Sequence, residues 1–158
     1  MKDIEKLIGL LKHKKAEVRV EAIEDLMELD DFCEAFEPLI GCLKDIDDDV
    51  RYQAVIALGQ FPDKRAVEPL IKCLKDESSD VREASIETLG ELGEKRALDP
   101  LIACLKDEEP QVRYQAAVSL GKLKDEKAIK PLLECLEDEE EIVQEGAADA
   151  LSDLGYQG

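Results

Sequence analysis

Four cysteines, Cys42, Cys73, Cys104 and Cys135, recur at 31-residue intervals, and sulfurs at fixed spacing invite disulfide bridging, metal ligation or a thiol relay. Each of these needs the sulfurs to meet. A disulfide tolerates a Cα separation of up to about 7 Å, and zinc gathers four sulfurs at about 2.3 Å around one point. Equivalent residues on stacked helices are instead spread along a line, about 8–10 Å apart. The ladder therefore reads as small apolar side chains at the flank of a helix, and no metal site is assigned. Cys33 stands outside this register and is the thiol to test for reactivity.

The single histidine, His13, lies among Lys12, Lys14 and Lys15. A general base or a metal ligand needs a partner that this stretch does not supply, so the segment reads as a solvated turn. The sequence has no Gly-rich phosphate loop, nucleophile elbow or Cys-x-x-Cys. No catalytic residue is assigned and no cofactor is expected.

Arginine and aspartate repeat in complementary phase. Asp45, Asp76, Asp107 and Asp138 open successive turns, with His13 in the first such place; Arg19, Arg51, Arg82 and Arg113 follow the turns, with Gln144 in the last place. Pairing each Asp with the Arg of the preceding unit joins Arg19 to Asp45, Arg51 to Asp76, Arg82 to Asp107 and Arg113 to Asp138, and leaves none over. The two departures fall at opposite ends, which reads both ends as caps. An exposed pair contributes only about 0.2–1 kcal/mol and a forked Arg contact more, so the ladder sets register more than stability.

The elements that hold these residues in phase come from an internal repeat. Ala66 to Asp76 aligns with Ala97 to Asp107 at an offset of 31, and the same frame recovers Ala35 to Asp45 and Ala128 to Asp138, with prolines at Pro38, Pro69, Pro100 and Pro131. An earlier copy, Asp3 to Asp31, lacks the proline and is followed by one extra residue in the Asp30 to Glu34 loop. Five units of this period specify a solenoid, in one domain spanning 1–158 with repeats near 1–33, 34–64, 65–95, 96–126 and 127–158. Val67, Leu70, Ile71 and Leu74 form the apolar face of a helix A. After a polar turn, Lys75 to Ser79, the residues Val81, Ser85, Thr88, Leu89 and Leu92 form that of a helix B. Pro69 requires helix A to begin within about a turn before it.

The unit Ala-x-x-Pro-Leu-Ile-x-Cys-Leu-Lys-Asp, then Val-Arg-x-x-Ala-x-x-x-Leu-Gly, resembles a HEAT repeat of the phycobilisome-lyase-like subtype over nearly the whole chain. The resemblance implies an all-α fold, an α-solenoid in a right-handed superhelix of five two-helix repeats, about ten helices, with an Asp and Arg ladder. It also admits passive scaffolds, bilin lyases and the di-iron deoxyhypusine hydroxylase. The hydroxylase holds iron through paired His-Glu motifs; here the one His is followed by Lys14, so that chemistry is not expected. An accessory or catalytic role related to bilin lyases or modification enzymes, as a lyase or oxidoreductase, remains the alternative.

Helical angles put one row of B-helix residues opposite the core, on the concave face of such an array. The row runs Val20, Glu24, Met27; Tyr52, Ile56, Gly59; Glu83, Glu87, Gly90; Tyr114, Val118, Gly121; Glu145, Asp149, Ser152. Apolar and acidic units alternate. Tyr52, Ile56, Glu83, Glu87, Tyr114 and Val118 are the candidate binding residues: tyrosines anchor, glutamates select Lys or Arg, and the glycines leave room for a ligand chain. In the competing arrangement the tyrosines lie along the sides of the B helices and pack on their neighbours.

With 21 basic and 39 acidic side chains the chain carries a net charge of −18, which disfavours nucleic acid and anionic membrane as partners. Its 44% hydrophobic content is too high for a disordered polyelectrolyte. No apolar run approaches the ~20 residues of a membrane span, and Leu7 to Leu11 is too short for a secretion signal. Five cysteines without secretory context fit reduced thiols in a cytoplasm. From Ala128 onward nine acidic side chains face Lys130 alone, reading as a charged terminal cap. The expectation is a monomeric, cytoplasmic, non-enzymatic scaffold whose partner is a basic or amphipathic protein segment.

Overall fold

A computed structural model of the chain describes residues 3–61 and 63–157; positions 1, 2, 62 and 158 of the repeat ranges lie outside the described residues. Among the described residues there are ten α-helices and no strand, the all-α repeat class expected from the sequence. The A helices are α1 (Ile4–Leu10), α3 (Phe36–Cys42), α5 (Val67–Cys73), α7 (Leu98–Cys104) and α9 (Ile129–Cys135). The B helices are α2 (Ala16–Met27), α4 (Asp48–Gly59), α6 (Ser79–Leu92), α8 (Pro110–Leu123) and α10 (Glu141–Asp153).

Each A helix from the second onward is entered through a one-turn 3₁₀ segment, Cys33–Ala35, Lys64–Ala66, Lys95–Ala97 or Glu126–Ala128. At three of these entries an aspartate accepts the backbone N–H two residues on: Asp31 from Cys33 at 3.0 Å, Asp63 from Arg65 at 2.9 Å, Asp125 from Lys127 at 3.1 Å. Pro38, Pro69, Pro100 and Pro131 then occupy the third residue of their helices, where a backbone N–H has no intrahelical acceptor and its loss costs no helical bond. The repeat's apolar faces are the buried ones. Val67, Leu70, Leu74, Val81, Ser85, Thr88 and Leu89 are buried, and Ile71 and Leu92 half-buried.

The chain divides into two compact units, Met1–Pro69 and Leu70–Gly158, with the division inside α5. The first unit is built on Ile23, Leu26, Leu39, Val50, Val55 and Leu58, all fully buried. It also gathers all three phenylalanines: Phe32 and Phe36 meet Phe61 edge-on at 4.6 and 5.3 Å, and the Arg65 guanidinium lies 4.5 Å over the Phe36 ring. The extra residue of the loop after α2 thus coincides with an aromatic plug. The second unit is built on Leu70, Ile86, Leu89, Leu101, Leu120 and Leu132. Its B helices α6, α8 and α10 stand side by side, so equivalent positions on them form rows.

Candidate functional site

The charged ladder is the most ordered polar feature. Arg82 donates from Nε and Nη2 to Asp107 Oδ2 and Oδ1 at 2.9 and 2.8 Å, and Arg113 makes the same fork to Asp138 at 2.9 and 2.8 Å. Arg19 reaches Asp45 by one bond only, Nη2 to Oδ1 at 2.6 Å, and its Nε is buried without a hydrogen-bond partner. Each arginine also ties down the turn of its own unit. Its Nη1 donates to the carbonyl of His13 (Arg19, 2.7 Å), Asp45 (Arg51, 2.9 Å), Asp76 (Arg82, 2.9 Å) or Asp107 (Arg113, 2.9 Å).

The aspartates close their turns as well, accepting the backbone N–H two residues on: Asp45 from Asp47, Asp76 from Ser78, Asp107 from Glu109, Asp138 from Glu140, at 2.9–3.0 Å. The Arg113 hydrogen bonds hold the Asp138 carboxyl below the usual range. Burial pushes the Asp107 carboxyl up, but the Arg82 bonds and the Glu109 N–H outweigh it and leave it low.

The two end substitutions each keep half of this device. His13 Nδ1 accepts the Lys15 N–H at 3.2 Å, replacing the turn-closing carboxylate. Gln144 Nε2 donates to the Asp138 carbonyl at 2.6 Å, replacing the arginine's own-turn bond. Sequence spacing signalled that these positions differ; it could not show which half of each function survives, because that depends on where a ring nitrogen or an amide reaches.

The four repeated cysteines are reduced and buried, each ending its A helix. Burial pushes the Cys42 and Cys104 thiols up to about 11 and raises that of Cys135, so they stay protonated and poorly nucleophilic at neutral pH. Cys33 is exposed, but the hydrogen bond and the negative charge of Asp31 raise its pKa too. Open clefts of about 430–470 Å³ lie between successive A helices, one lined by Ile8, Leu11, Pro38 and Cys42, others by Ile71, Leu74, Pro100 and Cys104, or Ile102, Leu105, Pro131 and Cys135. They hold no activated nucleophile. Among the described residues no group of three or more His, Cys, Asp or Glu is placed to hold a metal ion, and no helix is long and apolar enough to cross a membrane.

On the B helices the candidate binding residues are accessible to different degrees. In the first unit, Tyr52 of α4 is 37% exposed and Ile56 half-buried. In the second, Glu87 of α6 is exposed, while Glu83 of α6 and Tyr114 and Val118 of α8 are half-buried. Within the second unit the row leans from α6 onto α8 and from α8 onto α10. Glu83 hydrogen-bonds Gln111 of α8; burial raises its carboxyl, Gln111 opposes this, and Asp80 and Glu87 add to the rise. Tyr114 lies on α10, where a Cβ on Gly146 would stand 2.7 Å from its Cδ2. For Tyr114, then, neighbour packing and partial exposure coexist.

Two glycines of the row, Gly90 and Gly121, do not leave room for a ligand. A Cβ on Gly90 would stand 2.7 Å from Ser119 Cβ, and one on Gly121 3.0 Å from Ala150 Cα. Both glycines are filled from the side by the next B helix, whose backbone approaches where a side chain would otherwise stand. Ser119 Oγ completes this seam by donating to the Ile86 carbonyl at 3.1 Å.

A family model described as HEAT repeats matches residues 36–110 and 98–158. A search of curated proteins finds no match. Among solved structures, one from the complex of CpcE and CpcF of phycocyanin lyase from Nostoc sp. PCC7120 is 26% identical with a TM-score of 0.81, over 98% of this chain and 65% of that one. Human deoxyhypusine hydroxylase in complex with glycerol is 23% identical with a TM-score of 0.70, over 98% and 62%. A designed armadillo repeat protein in complex with the peptide (KR)4 is 23% identical with a TM-score of 0.67, over 96% and 81%. This chain spans 65% of the length of the lyase chain, and the other two likenesses concern the fold alone.

Proposed function

The chain belongs to the HEAT-repeat family, and from that premise we propose that it is a non-enzymatic protein-interaction scaffold binding a basic or amphipathic protein segment on the exposed face of its B helices. The observation that carries this reading lies in the second unit, where Tyr114 and Val118 of α8 stand beside Glu83 and Glu87 of α6, all at least partly accessible; the first unit separately offers Tyr52 and Ile56 on α4. Tyr rings anchor protein ligands, carboxylates select Lys and Arg, and the −18 charge accelerates encounter with a cationic partner.

Fluorescence polarisation with a labelled peptide of four Lys-Arg pairs tests the reading, with a peptide of four Glu-Gly pairs as control. The basic peptide binds at low salt and weakens as salt rises. Affinity falls about tenfold in the Glu83→Gln, Glu87→Gln variant and in the Tyr52→Ala, Tyr114→Ala variant. Equal behaviour of the two peptides overturns the reading.

The likeness to phycocyanin lyase favours a second reading, an accessory or catalytic lyase role. That role requires a chromophore, and visible absorbance retained by the purified protein is its signature. The raised pKa of the Cys33 thiol makes that residue a poor attachment nucleophile.

A further inference from the structure

We propose that the second unit binds, across α6, α8 and α10, an extended segment in polyproline-II conformation with the pattern basic-x-x-aliphatic-x-x-basic. The inference deepens the binding reading and rests on it. Its basis is a three-row pattern inside one unit. Glu83 and Glu87 stand on α6, Tyr114 and Val118 at the equivalent positions of α8, and Glu145 and Asp149 at those of α10. An apolar strip is therefore flanked on both sides by a pair of acids.

None of these four carboxylates has an ion-pair partner among the described residues, and the lysine further along α8, Lys122, is turned to Glu91 at 3.9 Å. Glu83 is half-buried beside Asp80 and Glu87 with only the neutral Gln111 as hydrogen-bond partner. A cation arriving there relieves both desolvation and like-charge repulsion. Tyr114 is already seated against Gly146, so its ring offers a face whose orientation is fixed before binding.

Spacing selects the ligand's conformation. Packed helices lie about 8–10 Å apart, so a segment crossing them must return a side chain to the same face at that interval. A β-strand does so every two residues, about 6.6 Å, and falls out of step. A polyproline-II segment does so every three residues at about 3.1 Å each, roughly 9 Å, and keeps step across all three helices. Its first and seventh residues then meet the acids of α6 and α10, and its fourth meets Tyr114 and Val118. Prolines at the intervening places fit an aromatic surface and pre-set the backbone.

The test compares the peptide Lys-Pro-Pro-Leu-Pro-Pro-Lys with its permutation Pro-Pro-Lys-Leu-Lys-Pro-Pro, by calorimetry on the full chain, with the peptide of four Lys-Arg pairs alongside. The spaced peptide binds about tenfold more tightly than the permutation. The Glu87→Gln, Asp149→Gln variant, altered only at exposed carboxylates, keeps its circular dichroism and loses the difference. Equal affinities for the two heptapeptides, with the Lys-Arg peptide still bound, overturn the spacing rule and leave the binding reading standing. Failure of all three peptides to bind overturns both.

Discussion

Arg113 joins three parts of the molecule at once: its own helix, the Asp107 carbonyl of its own turn, and the carboxylate of Asp138 in the next repeat. Its side chain is 9% exposed and that of Asp138 13%, so removing either partner strands a charge in a poorly solvated place. Arg113→Ala is expected to cost about 3–5 kcal/mol in urea unfolding. A double-mutant cycle with Asp138→Ala should give a larger coupling than the cycle for Arg19 and Asp45, where one bond replaces the fork and Nε is orphaned. Asp107 and Asp138 have folded-state pKa values below their unfolded ones. Their contribution is therefore complete above the unfolded carboxylate range and is lost as pH falls through the folded values. Urea midpoints measured from about pH 5 down to about pH 2 should fall for the wild type and fall less steeply for Asp138→Asn. Among the thiols, Ellman's reagent should modify Cys33 in the folded protein, more slowly than an unfolded cysteine, and reach the four buried ones only in denaturant.

The B helices of the second unit approach one another closely because small residues stand where they touch. Gly90 meets Ser119 of the next helix and Gly121 meets Ala150. Gly9 and Gly41, at matching places on α1 and α3, meet nothing within 4 Å of an added Cβ. The same substitution therefore has opposite signs. Gly41→Ala should raise stability by about 0.5–1 kcal/mol through lost backbone freedom in the unfolded chain. Gly90→Ala should lower it by about 1–3 kcal/mol, because the Ser119 Cβ and Cα must give way. Thermal melts of the two variants check both signs. The periodic glycines were visible in the sequence, but their role was not: groove lining and helix contact need the same small residue, and only the position of the neighbouring helix tells them apart.

At the scale of the whole molecule the charge of −18 dominates encounter. Association with the spaced basic peptide should slow steeply with ionic strength, while dissociation changes little, as stopped-flow traces at several salt concentrations would reveal. The sequence by itself determined the all-α repeat architecture, the helix faces, the proline at the start of each A helix from the second onward, and the pairing of Arg19 with Asp45, Arg82 with Asp107 and Arg113 with Asp138. These are periodic quantities, and a 31-residue period carries them whatever the neighbouring units do. The tertiary structure alone decided that His13 and Gln144 each keep one half of the ladder's bonding, that Arg82 and Arg113 fork while Arg19 does not, and that Gly90 and Gly121 are filled from the side. It also decided that Tyr114 rests on Gly146 while remaining half exposed. Those outcomes hinge on where particular side-chain atoms reach, and a repeat pattern fixes which residues are equivalent without fixing how closely their atoms approach.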